Sequence, residues 1–394
     1  MKIAMLFVLS VGSATLSACD DDGASEPAPK FQPPAAGELV TVEPGGEAIC
    51  SRGTPYRFFA VGGDPRRLVL DFQGGGACWS APTCSVAEAI FSAEAATTED
   101  MESLFDHPDL GGIYRLDDAA NPLQGWSLVH IPYCTGDVHW GDATHTYSND
   151  ITIEHRGFRN VMTVLDWVAD RYPAPETIFV TGCSAGAYGA IGYAAWVAER
   201  WPNAEVRALA DSGAGIITDT FFADSFPNWN AFPTLQKYLA DLREADISTL
   251  KIEDLYLATA KAYPKMRIGQ YHAAFDKDQT FYYSVMGGGS DWSARMRATV
   301  TKIAEEAPNF RHYMAPGQIH CIHPYRVFYE RESGPPDAPI AYATWLDEFI
   351  NAAAPPPSVT CGDDGCLQDA VCDACEGSTD GAVCRWCSGW PPAD

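Results

Sequence analysis

The five residues Gly182-Cys183-Ser184-Ala185-Gly186 fit the pattern G-x-S-x-G. A serine between two such glycines becomes a nucleophile when the chain turns sharply from a strand into a helix. The glycines permit the turn, and the hydroxyl then stands above the sheet. Thr177–Thr181 reads as a buried strand, and Ala185–Glu199, rich in Ala and Gly, reads as a closely packed helix. A helix N-terminus also presents N–H groups and a dipole that favour a developing anion. The chemistry implied is acyl transfer through Ser184. A chance turn of small residues is the competing reading, and the flanking strand and helix argue against it.

Such a nucleophile needs an oxyanion hole, a base and an acid. Gly74-Gly75-Gly76 follows the apolar strand Leu68–Phe72, and residues without side chains let backbone amides approach an oxyanion. The hole is assigned to the amides of Gly75, Gly76 and Ala185. A phosphate cradle is rejected, because no Gly-Lys-Ser/Thr follows the glycines. The base is expected after the last strand, Phe310–Met314, where His320 is preferred over His323 and His312. In the chain order Ser, Asp, His the acid lies between the other two. Asp276, just after the strand Met266–Tyr271, is the first choice, and Asp278 and Asp291 are its rivals. Ser184 would attack, His320 would take and return the proton, and Asp276 would hold the imidazole tautomer. No metal or cofactor is expected.

The elements that must carry these groups alternate. Besides the strands above, Trp126–Tyr133 and Val206–Ala210 read as strands, while Arg156–Asp170 and the segment from Tyr342 to Phe349 read as helices. Alternation over this length argues an α/β class with a mostly parallel sheet covered by helices on both faces. Chemistry in such sheets sits at the carboxyl ends of the strands.

The chain has 394 residues, with 26 basic against 52 acidic side chains and a formal charge of −26. That balance argues against nucleic acid as a partner, because phosphate binding needs Lys and Arg. Met1, Lys2 and the apolar run to Leu16 read as an export signal too short to span a bilayer. Leu16-Ser17-Ala18-Cys19 resembles a bacterial lipobox, which implies a lipid on Cys19 and attachment to a membrane of the cell envelope by that anchor alone. The segments expected are a signal over 1–19, a flexible tether over 20–36, a catalytic domain over 37–354 and a tail over 355–394. The protein is expected to act as a monomer.

The tail follows Pro355-Pro356-Pro357 and holds Cys361, Cys366, Cys372, Cys375, Cys384 and Cys387. Six cysteines in a short polar stretch read as a disulfide module, with 15 pairings open. Zinc on the two C-x-x-C pairs and weak calcium at Asp363-Asp364 are lesser readings. With all the motifs before Phe349, truncation after Ala354 is expected to leave turnover of small esters nearly unchanged. In the body, Cys78 and Cys84 are close enough for a local bridge, while Cys183 is either bonded or a small buried residue.

Five segments together resemble the pectin acetylesterase family: Asp71 to Cys78, Ile131 to Asp137, Gly182 to Gly186, Asp211-Ser212-Gly213 and His320-Cys321. The likeness runs from about Gly37 to Phe349. It implies an α/β-hydrolase fold and carboxylic ester hydrolysis, with an acylated carbohydrate such as pectin as the expected substrate. Ser184 falls on the family nucleophile, Asp276 with Gln279 on its acid motif, and His320 on its base. Gly75, Gly76 and Ala185 fall on its oxyanion positions. The family includes the animal Wnt deacylase Notum, so a longer-chain deacylase is the alternative reading, and a non-catalytic lipid-anchored binding protein is the alternative of another class. The chain departs from the family pattern at Gln73, commonly Glu, at Ala77, commonly Trp, and near Gly317, where a Cys is usual.

Overall fold

A computed structural model describes residues 31–87, 89–215, 217–237, 239–362, 364–375 and 378–389. The segment read as an export signal, Cys19 and most of the expected tether lie outside the described residues, as does Asp363. Nine strands form one sheet: β1 (Leu39–Val42), β2 (Phe58–Val61), β3 (Asp64–Phe72), β4 (Trp126–Ile131), β5 (Thr177–Cys183), β6 (Glu205–Asp211), β7 (Arg267–Ala273), β8 (Phe310–Ala315) and β9 (Val359–Thr360). Their spatial order is β1-β2-β4-β3-β5-β6-β7-β8-β9. The pairs β1–β2 and β2–β4 are antiparallel. All pairs from β4–β3 onward are parallel. This is the mostly parallel α/β-hydrolase sheet expected from the sequence.

Side chains alternate across the sheet because successive strand residues point to opposite faces. Leu68, Leu70 and Phe72 enter one core, with Val161, Ala190 and Ile268 among its members, and Val69 enters the other. The first core is covered by α1 (Gly157–Arg171), α2 (Ala185–Arg200), α3 (Phe221–Trp229), α4 (Ile252–Ala262) and α6 (Trp292–Glu306); α5 (Lys277–Val285) lies between α4 and α6 in the chain. The second is covered by the helix Thr98–Asp106 and by α7 (Tyr342–Asn351), through Met101, Trp345, Leu346 and Phe349. Among the described residues no helix is long and apolar enough to cross a membrane.

The register sets the site. Phe72 at the end of β3 lies opposite Gly182 of β5, and Cys183 lies opposite Asp211 of β6. Asp211 in turn pairs with Tyr271 of β7, and Ala273 with Ala315 of β8. The turns after these five strands therefore leave the same edge. One expectation shifts. The strand from Trp126 stops at Ile131 rather than Tyr133, because Pro132 has no N–H to donate to a ladder. The loop after β8 carries a short 3₁₀ turn, Arg326–Tyr329, just past His323.

The tail carries the disulfide cluster expected of it, and its prolines are also tied to the body. Pro356 O accepts from Arg311 Nε at 2.9 Å and Pro357 O accepts from Trp345 Nε1 at 2.8 Å. The chain then enters the sheet as β9, with Val359 opposite Tyr313. Its cysteines pair Cys361–Cys366, Cys372–Cys387 and Cys375–Cys384. Each C-x-x-C half is thus bonded to the other half, and no thiolate is left for zinc. The buried Asp369 accepts from the buried Arg331 at 2.8 Å. The described residues from Gln32 to Gly389 cluster as one compact unit.

Candidate active site

Ser184 follows β5 with φ 58° and ψ −121°, and α2 starts at the next residue. A non-glycine residue with positive φ is held there at a cost of roughly 1–3 kcal/mol, which the surrounding structure must supply. Close packing does so. Gly186 lies so near the carbonyl of Phe72 that a Cβ would collide with it, which brings α2 against the end of β3. The Ser184 amide donates to Asp211 O at 2.8 Å.

His320 lies on the loop after β8, and its Nδ1 is 2.9 Å from Asp276 Oδ1 and 3.0 Å from Oδ2. Asp276 is fully buried and caps α5 by accepting from Gln279 N at 2.9 Å. The Gln279 side chain donates to Asp276 Oδ2 at 2.9 Å and accepts from Ala214 N at 3.0 Å, which ties the carboxylate to the loop after β6. His320 Nε2 has no hydrogen-bond partner among the described residues, and His320 and Ser184 line the same two cavities. Burial alone would lower the His320 pKa, but Asp276, with Asp278 and Asp211 behind it, outweighs burial and raises it to about 9.

The other candidates fall elsewhere. His323 is buried against Tyr342 Oη at 2.8 Å and Thr181 Oγ1 at 3.2 Å, and His312 is bonded to Thr360 Oγ1 at 3.2 Å. Asp291 forms an exposed ion pair with Arg295. Asp278 stands 3.6 Å from His320 Nε2, on the side of the ring facing away from Asp276.

Three positioning groups carried no role in the sequence reading. The buried Asp211 accepts from the amides of Ile322 and His323, each at 2.9 Å from Oδ2, and Ser212 Oγ accepts from Cys321 N at 2.9 Å. Together they hold the loop of His320. The third group is the bond Cys183–Cys321. Asp211-Ser212-Gly213 stood out in the sequence as a segment, but its partners lie more than a hundred residues away, where no local pattern reaches.

The glycine loop is braced from both sides. Gln73 Oε1 accepts from Tyr133 N at 3.1 Å, and Gln73 O accepts from His139 Nε2 at 2.9 Å. Burial pushes the His139 pKa down to about 4, so it serves as a neutral donor. Gly76 has φ +72°, and a Cβ there would collide with Ile90 O and Tyr282 Oη. Among the described residues, the amides of Gly75, Gly76 and Ala185 donate to no backbone carbonyl outside regular elements.

Two cavities meet at Ser184. One, about 50 Å³, is walled by Val138, Trp140, Tyr188, Phe221, Phe222 and Met286. The other is an open cleft of about 380 Å³ that includes Gln73, Asp278, Tyr282, Tyr325 and Trp386. Cys183, His320 and Cys321 bring possible ligand atoms within 4.8 Å of one another, but the two sulfurs are bonded to each other and offer no thiolate to a metal.

The pectinacetylesterase family matches residues 35–307, a stretch that contains Gly75, Gly76, Ser184 and Asp276 and stops before His320. Among solved structures, the Wnt deacylase Notum from Drosophila is similar over 79% of this chain and 92% of its own, at 15% identity and a TM-score of 0.57. That likeness concerns the fold. No curated protein matches the chain.

Proposed function

Because the chain belongs to the pectinacetylesterase family of carboxylic ester hydrolases, we propose that it is an exported serine esterase that removes acetyl or a similarly small acyl group from a carbohydrate. The observation that carries this reading is the buried Asp276–His320 pair at 2.9 Å, beside the positive-φ turn of Ser184. Ser184 Oγ attacks the ester carbonyl while His320 Nε2 takes its proton. The amides of Gly75, Gly76 and Ala185 stabilise the oxyanion, and the new imidazolium is stabilised by Asp276. Collapse expels the alcohol with the proton from His320 and leaves an acyl-enzyme, which water hydrolyses by the same route.

The size of the apolar cavity supports a small acyl group. At about 50 Å³, against about 380 Å³ for the open cleft, the apolar cavity favours a short acyl group over a long fatty chain. The Notum structure is named a Wnt deacylase, which makes a longer-chain deacylase the alternative. The six disulfides support an oxidising compartment, in keeping with an export signal and lipidation at Cys19.

The test is hydrolysis of p-nitrophenyl esters from C2 to C8 by wild type and Ser184→Ala. Rates should fall with acyl length and vanish in the variant. Equal rates in the variant would remove the serine mechanism, and rising rates with length would favour the deacylase. Acetate release from acetylated polysaccharides then identifies the carbohydrate.

A further inference from the structure

We infer that Trp386, from the cysteine-rich tail, is the platform on which the alcohol side of the substrate rests, and that this alcohol is an uncharged sugar unit. The inference rests on the serine esterase reading above and deepens it by naming the group that leaves.

Trp386 stands with its ring 5.6 Å from that of His320, edge to face at 61°. It lines the open cleft together with Ser184, His320 and the glycine loop. Its position is fixed from several directions. The indole N–H donates to Tyr325 Oη at 2.8 Å, and its carbonyl accepts from Gln318 Nε2 at 2.7 Å. Ser388 O, two residues on, accepts from Lys277 Nζ at 2.7 Å. Cys384 and Cys387, on either side of Trp386, are both in disulfides. Trp386 is partly buried and packs against the cluster of Ile319 and the tail cysteines. A tryptophan held this firmly beside a base is a preorganised surface, and the apolar face of a pyranose ring is what such a surface takes up.

With the acyl group in the small apolar cavity, the alcohol must lie in the larger one. There Trp386, Tyr325 and Tyr282 supply ring faces and edges, and Asp278 and Gln73 supply hydrogen-bond acceptors. Among the described residues lining this cleft there is no Lys or Arg, and Asp278 adds a carboxylate close to the reacting centre. A galacturonate unit would bring its own negative charge to that carboxylate, in a protein of net charge −26. A neutral acetylated hexose or pentose carries no such penalty. Lys277 and Arg385 stand outside the lining, and Lys277 is engaged by Ser388.

The experiment compares kcat/KM for three substrates, ethyl acetate, acetylated xylo- or manno-oligosaccharides and acetylated oligogalacturonides, in wild type, Trp386→Ala, Trp386→Tyr and Ser184→Ala. The neutral oligosaccharides should be preferred over the galacturonides. Trp386→Ala should reduce kcat/KM for them about tenfold more than for ethyl acetate, chiefly through KM, and Trp386→Tyr should restore most of the loss. An equal loss on ethyl acetate and on the oligosaccharides in both Trp386 variants, or no loss on either, overturns the platform. Preference for galacturonides overturns the neutral sugar. Activity surviving in Ser184→Ala would strike the underlying esterase reading instead, so the two failures are told apart.

Discussion

Cys183 and Cys321 form one disulfide, so the neighbour of Ser184 and the neighbour of His320 are covalently joined across 138 residues of sequence. The bond fixes the distance between two turns that are also linked through hydrogen bonds to Asp211 and Ser212 and through the contact of His323 with Thr181. The double variant Cys183→Ala with Cys321→Ala should keep the fold, because the cores are unchanged, yet lose about a hundredfold in kcat/KM, the cost of a misplacement of about 1 Å. Circular dichroism and ester kinetics check this. Full activity would mean that Asp211 suffices to hold the loop.

Asp276→Asn preserves the shape of the acid and removes its charge. The expected loss in kcat is about 10,000-fold, since the amide stabilises the wrong imidazole tautomer. Gln279→Ala, which only frees Asp276 from the loop after β6, should cost about tenfold. A similar loss from both would mean that the carboxylate matters for position alone.

His320 must be neutral to accept the proton of Ser184, and its pKa is raised to about 9. Activity should therefore rise with pH, with the acid limb of kcat/KM above the ordinary imidazole value of about 6.5. Asp278→Asn removes a carboxylate 3.6 Å from Nε2 and should move this limb to lower pH. A pH–rate series on both proteins measures the shift, and an unmoved limb excludes Asp278 as a contributor.

The tail is expected to matter to stability. Asp369→Ala leaves the buried Arg331 guanidinium without its carboxylate, at a cost of about 3–5 kcal/mol, to be read from urea unfolding. Truncation after Ala354 does the same, and also removes β9 and Trp386. Its thermal midpoint should fall by several degrees, with more than about a tenfold loss on sugar esters. A truncated protein as stable and active as the whole chain would restore the sequence expectation of an independent module.

Local patterns made the core of the site readable. The elbow at 182–186 and the loop at 74–76 are short motifs bounded by apolar runs, so type and spacing suffice. Chain order left Asp278 and Asp291 as rivals of Asp276, and His323 and His312 as rivals of His320. The family resemblance favoured Asp276 and His320, and the structure brings those two together. The tail was opaque for physical reasons. β9 has two residues, too few to show a period. Pairing among six cysteines depends on distances in space, and the position of Trp386 depends on Gln318 and Tyr325, far away in the chain.

Trp386 is held between Cys384 and Cys387 of the tail, whereas Ser184, Asp276 and His320 stand on turns at one edge of the sheet. The wall of the cleft and its reacting groups are thus carried by separate stretches of chain. Exchange of the loop around Trp386 would be a way to change which polymers are accepted, with residues 184, 276 and 320 left untouched.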